Sequence, residues 1–544
     1  MKRFASLFFA FVLSLPAFSA IPAPSYDFCE QNRDGVMLYY RIIEDGYCEL
    51  TYGREKYSGV INVPSFVQSN NVAVVGVGPY TFCECDDLIE VYLPHTVVYL
   101  DAVSFWQSRN LKKVLLDENL YAIGELAFEG CLSLSEINIP NSLEYMGYLA
   151  FNFCNKLGPL YNDRYFFYYQ YPSIMADTVY RIPDGIEIIN TSAFSFSSFT
   201  EVIIPNSVTT IMDNAFDGST IRRVTIPPSV TILGNKAFGQ SGLREVTVPA
   251  TVQNIGSFLF DSCLHLESAV FENKLDSIPQ GTFHCNTSLE SVSFPKSVHK
   301  VGESAFANNY NLKDFDFSVI DTLGELSFYQ CRSLDSVILG ENISFIPYFC
   351  FYGCTNLKKL VLPEGLMTIG DWAFDSNTSL ESLVIPDVTL SIGQSAFSFC
   401  KNLKQVKLGR NLKSIGFHSF AQTSLIESID IPSSVEEIGD FAFSYNSSLK
   451  DITVHWNTPL EVNGTIFDNG VTLHVPSGTK GLYENANGWK EAMAIDEVTR
   501  VNHTPSDRHP ERTVKRLIDG KIIIERGDMR IDLNNLLPLQ HTLE

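Results

Sequence analysis

One phenylalanine position returns along this chain at intervals of 22 to 24 residues, seventeen times between Phe82 and Phe467, and no other feature constrains the fold as tightly. The one long interval runs from Phe151 to Phe194. A unit this short cannot bury its own apolar face, so successive units must stack and share a continuous core. The period predicts a repeat solenoid of about seventeen turns rather than a set of separate domains. Hydrophobic residues at 45% and charged residues at 19% leave enough apolar surface for such a core.

The unit from Cys131 to Phe151, CLSLSEINIPNSLEYMGYLAF, shows what recurs. Apolar Leu134, Ile137, Ile139, Leu143 and Met146 precede the Ala-Phe pair in the L-x-x-L-x-L periodicity of a leucine-rich repeat. Segments such as Glu136 to Ile139 alternate with period two, as a short strand does. Prolines such as Pro140, Pro205 and Pro295 then end the strand, because proline donates nothing to a ladder. Two residues later a small hydroxyl recurs, at Ser142, Ser229, Ser297 and Ser434 among others, suited to capping exposed backbone. Glycines such as Gly124, Gly147 and Gly256 mark a corner that needs either positive φ or close backbone approach. Each turn is expected to add one strand to a parallel β-sheet on one face, in a fold of mostly β and coil.

The composite pattern L-x-x-[IV]-x-[IL]-P-x-x-[LV]-x-x-I-G-x-x-A-F-x-x-C resembles the BspA-type leucine-rich repeats of bacterial surface proteins, over about residues 59–470. The resemblance implies a curved solenoid and a role in adhesion to host proteins or other cells.

Outside the period the chain divides into several pieces. Residues 1–20, MKRFASLFFAFVLSLPAFSA, have the basic start, apolar run and small residues of a signal peptide cleaved near residues 19–20. Pro16 breaks the run short of a membrane span, and no later segment is long enough for a transmembrane helix. Residues 21–58 read as an N-terminal hairpin cap around the turn Glu44-Asp45-Gly46. Residues 471–498 resemble the closing segment of BspA-type proteins, with Trp489 placed to cover the last turn. Residues 499–513 are a polar linker, and residues 514–544 a short β-hairpin tail with a faint likeness to the sorting tails of type IX secretion substrates.

Two features offer candidate ligand-binding residues. An insert near residues 158–177 carries Tyr161, Tyr165, Phe166, Phe167, Tyr168, Tyr169 and Tyr171, either as a loop on a binding face or as a local core packed onto the solenoid. Within the strands, the residue between two core aliphatics should face outward, which places Tyr92 on the surface and aligns Ile338, Val361 and Val384 as an apolar stripe. Strand propensity alone also accounts for that stripe.

Chemistry is weakly encoded. Seven of the twelve cysteines stand three residues after the repeat Phe, a slot that elsewhere holds Asn, Ser or Thr, so backbone contact explains them better than metal ligation. Cys29 and Cys48 lie outside the period and are a candidate disulfide of the cap. The ten histidines read as scattered, with no catalytic Cys/His grouping, and no nucleophile elbow or phosphate-binding loop occurs. No catalytic residue, metal or cofactor is expected. A net charge of −23 argues against nucleic acid and for neutral or basic partners. The expectation is a secreted or cell-surface scaffold that binds an extracellular or host protein, with glycan binding or a purely architectural role as alternatives.

Overall fold

The structure is a computed structural model describing residues 22–169, 178–272, 274–468 and 470–498, together with three strands Val514–Ile518, Lys521–Arg526 and Met529–Asp532. The expected signal peptide, Tyr171 and the linker 499–513 lie outside the described residues. The chain forms a β-solenoid of about 19 turns with almost no helix. That exceeds the Phe count because other rings extend the same column: Tyr57 stands 5.0 Å before Phe82, and Phe166 of the insert 4.7 Å before Phe194.

A typical turn contributes two short strands, each stacked in parallel on its counterpart one turn away. Glu136–Ile137 pairs with Lys113–Leu115, while Tyr145–Met146 pairs with Ala122–Ile123. The expectation of one strand per turn was therefore too few. The second ladder is formed by the residues just before the repeat glycine, where an apolar residue such as Ile123 or Met146 is buried.

Between the ladders runs the phenylalanine column. From Phe194 to Phe216 the ring centroids are 5.0 Å apart at 1°, and from Phe351 to Phe374 they are 5.2 Å apart at 5°. These rings are fully buried. Parallel, offset stacking at this spacing follows from the strand separation that the backbone ladders impose.

Backbone polarity is satisfied along the same axis. The Cys131, Cys263 and Cys400 thiols donate to the carbonyls of Phe105, Phe238 and Phe374 in the preceding turn, at 3.2, 3.0 and 3.3 Å. Asn309, Asn377 and Asn446 occupy the same slot and donate to Phe283, Phe351 and Phe420. Burial pushes the Cys354 thiol up to about 12, so these sulfurs stay protonated donors. Ser142, Ser229 and Ser434 likewise donate to Leu120, Val208 and Leu412 one turn back.

The repeat glycines serve close approach, not left-handed backbone. Gly124, Gly147 and Gly256 have ordinary φ, and a Cβ on any of them would collide with the backbone of the preceding turn. Gly256→Ala must push neighbouring turns apart or bend the ladder, since the obstacle at Asn235 is backbone. It should cost roughly 1–3 kcal/mol, read as a lowered urea midpoint.

The N-terminal cap is a three-stranded antiparallel sheet, β1 (Phe28–Gln31), β2 (Met37–Glu44) and β3 (Tyr47–Thr51), with the expected turn between β2 and β3. It overturns the candidate disulfide. Cys29 pairs with Tyr39 and Cys48 with Ile42, so β2 separates them. Cys29 is exposed, Cys48 is buried in the core, and both are free thiols. Two strand spacings, about 10 Å, exceed the reach of a disulfide.

Behind the cap lies an acidic group. Glu49 accepts from Tyr99 Oη at 2.7 Å and pairs with Arg41. Burial lifts the nearby Asp101 carboxyl from 3.8 to about 6. A raised carboxyl pKa favours the folded state below the unfolded value, and that contribution is lost as pH rises through the folded one. The wild type should therefore gain stability relative to Asp101→Asn as pH falls from 7 towards 4. Parallel urea titrations of the two proteins test this, and a pH-independent difference would refute it.

At the other end, Thr472–Pro476 and Ala494–Val498 pair in parallel, and buried Trp489 donates to Leu460 O at 2.8 Å. It lies 6.3 Å from Phe467, the last ring of the column. The tail forms three antiparallel strands where a hairpin of two was expected.

Candidate functional site

The sheet face keeps the predicted alternation. Val337, Leu339, Leu362, Leu383 and Ile385 are buried, whereas Ile338, Val361 and Val384 are half-buried between them. Ile338 is in register with Val361, and Val384 with Lys407, so the apolar row ends at a cation. Tyr92 is half-buried, and its hydroxyl donates to Glu90 at 2.5 Å.

The aromatic insert is largely not a surface. Phe166, Phe167 and Tyr168 are buried, which removes them as ligand-binding candidates. The strand Tyr165–Tyr168 pairs in parallel with Ile188–Ile189 and thus takes the place of a repeat strand. Phe166 stacks on Phe194, while Tyr168 meets Phe151 at 6.0 Å. Tyr169 is half-buried among Tyr180 and Phe199, and Tyr165 is half-buried beneath the Arg164 guanidinium, 5.3 Å from its ring centre. Only Tyr161, at 43% exposure, offers an open ring among the described members.

A different aromatic surface emerges in the turns that carry the buried Phe. The residues two before and two after that Phe commonly have left-handed backbone, as at Phe349 (φ 53), Trp372 (φ 51), Phe441 (φ 59) and Tyr445 (φ 61). Left-handed backbone at a bulky residue costs roughly 1–2 kcal/mol, and stacking between turns offsets it. Phe349 and Trp372 stack at 5.3 Å and 14°. Tyr348 meets Trp372 edge-on at 5.5 Å, and Tyr329 stacks on Tyr352 at 5.0 Å. A second group joins Phe417, His418, Phe441 and Tyr445. Burial lowers the His418 pKa, which favours its neutral, apolar form. Phe417 and Tyr445 are 40% and 56% exposed. Asp371 and Asp440 stand beside these rings, whose faces and edges suit contact with apolar or π-rich groups. Sequence reasoning passed over it, although Phe349-Cys350-Phe351 and Trp372-Ala373-Phe374 carry the signal.

Among the described residues, no group of three or more His, Cys, Asp or Glu could hold a metal ion. One contact joins a histidine to a cysteine, although the ten histidines read as scattered. His284 Nε2 lies 3.4 Å from Cys285 Sγ, and Asp261 Oδ1 lies 2.8 Å from His284 Nδ1.

The sequence profile described as a BspA type leucine-rich repeat region matches this chain in six copies, over residues 53–161, 164–284, 209–326, 277–388, 321–450 and 376–474. Among solved structures, a leucine-rich repeat protein from Bacteroides ovatus is 22% identical, with 77% of this chain and 93% of that one covered and a TM-score of 0.38. A leucine-rich cell surface protein from Faecalibacterium prausnitzii is 19% identical, covering 87% and 95% at a TM-score of 0.29. The pneumococcal vaccine antigen PcpA is 17% identical, covering 88% and 99% at a TM-score of 0.32. No curated protein matches the chain. Among the described residues, no helix is long and apolar enough to cross a membrane.

Proposed function

The chain belongs to the BspA-type leucine-rich repeat family, and from that premise we propose that it is a bacterial cell-surface or secreted scaffold that binds an extracellular or host protein through its aromatic ridge. The observation that carries this reading is the ring cluster of Tyr329, Tyr348, Phe349, Tyr352 and Trp372, in which Phe349 and Trp372 stand on left-handed backbone and Tyr348 is exposed while the other rings are half-buried. Rings anchored in this way lose little conformational freedom on binding, and aromatic anchors carry a large share of interface energy. The same two turns also expose Phe345 and Met367, and this apolar character favours a protein partner over a sugar. With the chain at −23, a neutral or basic partner fits best. Residues 1–20 supply the export route in this reading.

The full chain presented to matrix and serum proteins, beside a glycan array, identifies the ligand class. Phe349→Asn with Trp372→Asn then tests the ridge, because Asn tolerates left-handed φ. Affinity for a captured protein should fall at least about tenfold, equivalent to ~1.4 kcal/mol. Undiminished capture would remove the ridge from the interface. Loss on replacing Ile338, Val361 and Val384 with Ser would move the site to the sheet face, and binding confined to the array would favour glycan.

A further inference from the structure

Twelve cysteines are present, and the repeat accounts for most of them as buried donors. Cys285 stands apart. It follows the buried Phe283 by two residues, in the left-handed slot (φ 60) that turns side chains outward, and it is only partly buried. The turn before supplies Asp261 to His284 and the turn after supplies Asn308 to the sulfur, so three successive turns meet at the His284–Cys285 pair.

The hydrogen-bond directions fit one protonation pattern. Asp261 Oδ1 accepts from His284 Nδ1 at 2.8 Å, which leaves Nε2 as the acceptor. That nitrogen lies 3.4 Å from Cys285 Sγ and can take the thiol proton. Asn308 Nδ2 donates to the same sulfur at 3.5 Å and stabilises charge developing there. Asp261 Oδ1 also accepts from Ser262 Oγ at 3.2 Å, and Lys236 Nζ lies 3.7 Å from the second Asp261 oxygen and 3.5 Å from Asp217. Phe258, edge-on to His284 at 6.5 Å, bounds the other side of the ring.

We infer that Cys285, His284 and Asp261 form a nucleophile, base and positioning carboxylate that make Cys285 a site of thiol–disulfide exchange with small disulfides. In the exchange, Cys285 Sγ gives its proton to His284 Nε2 and bonds to one sulfur of the incoming disulfide. The disulfide's own S–S bond breaks, and the departing thiolate takes the proton from His284. The product is a mixed disulfide on Cys285 and one free small thiol, with no net oxidation. Burial and the Asp261 charge raise the isolated thiol's pKa, so little thiolate exists without a base at hand. Speed at neutral pH therefore has to come from the imidazole, which sets this site apart from a merely exposed cysteine.

The native chain contains its own reference, because Cys29 is exposed and, among the described residues, stands opposite Tyr39 rather than an imidazole. The full-length protein is treated with dithiobis-nitrobenzoate or cystine across a pH series, and adducts at each cysteine are quantified by mass spectrometry. General-base assistance is typically worth about 100-fold, so Cys285 is expected to react at least ~10-fold faster than Cys29 near neutral pH. His284→Asn should abolish that advantage and the imidazole-dependent limb of its pH profile, and Asp261→Asn should weaken both. The fast release of small thiol should disappear in Cys285→Ser. The inference is overturned if Cys285 reacts no faster than Cys29 in the unmodified protein, a comparison that needs no variant to fold. An unchanged pH profile in His284→Asn, with the solenoid's circular dichroism intact, would overturn it equally.

Discussion

Phe374→Ala is expected to lower the unfolding free energy by roughly 3–5 kcal/mol, the usual range for removing a buried aromatic ring. Phe374 is fully buried and stacks on Phe351 at 5.2 Å and on Phe397 at 5.3 Å, so the truncation opens a void between two rings at once. The void cannot close easily. The Phe374 amide donates to Ala396 O and the Phe351 amide to Ala373 O, both at 2.8 Å, and these bonds fix the spacing of the turns whatever the side chains do. Because each turn touches only its neighbours, the damage should stay local. Urea unfolding followed by hydrogen exchange should show early opening across the turns of Phe351, Phe374 and Phe397 while distant turns keep their protection. A loss below about 1 kcal/mol, in the range of surface changes, would mean the column contributes shape and little stability.

The sequence revealed most where one residue type answers one geometric demand in every turn. The Phe column, the thiol and amide donors at Cys131 or Asn309, and the outward position of Ile338 all follow from repetition, and the structure places them as expected. Glycine was half legible. Gly124 and Gly256 were readable as corners, but only coordinates separate positive φ from backbone collision, and collision is the reason here. Contacts between turns were the least legible. Asp261 and His284 stand 23 residues apart, an offset that means contact only after the register of the turns is known. The aromatic ridge escaped for a related reason: left-handed slots accept Ser, Gln, Gly and aromatics alike, so the extra rings at Phe349 and Trp372 gain meaning only once the backbone of those slots is known. The disulfide expectation failed because the spacing of Cys29 and Cys48 says nothing about the strand between them.

The insert shows how length alone misleads, and it supplies the other large effect. Residues beyond the repeat period suggest a removable loop, yet Phe166 and its neighbours join two stretches of core, one running from Leu38 to Tyr168 and the other from Phe166 to Ile495. Phe166 continues the ring column toward Phe194, and Phe167 and Tyr168 face the N-terminal block. Its carbonyl also accepts from Asn190 at 2.8 Å, which ties the junction into the next turn. Phe166→Ala should therefore cost roughly 3–5 kcal/mol and weaken the coupling between the blocks. In a nearest-neighbour solenoid a weakened interface separates the transitions on either side, so urea unfolding should pass from one step to two, with hydrogen exchange assigning them to residues before and after the junction. Leu264→Ser, at a side chain 52% exposed, is the control and should shift stability by no more than about 0.5 kcal/mol. A single unshifted transition in Phe166→Ala would restore the insert to the status of a loop.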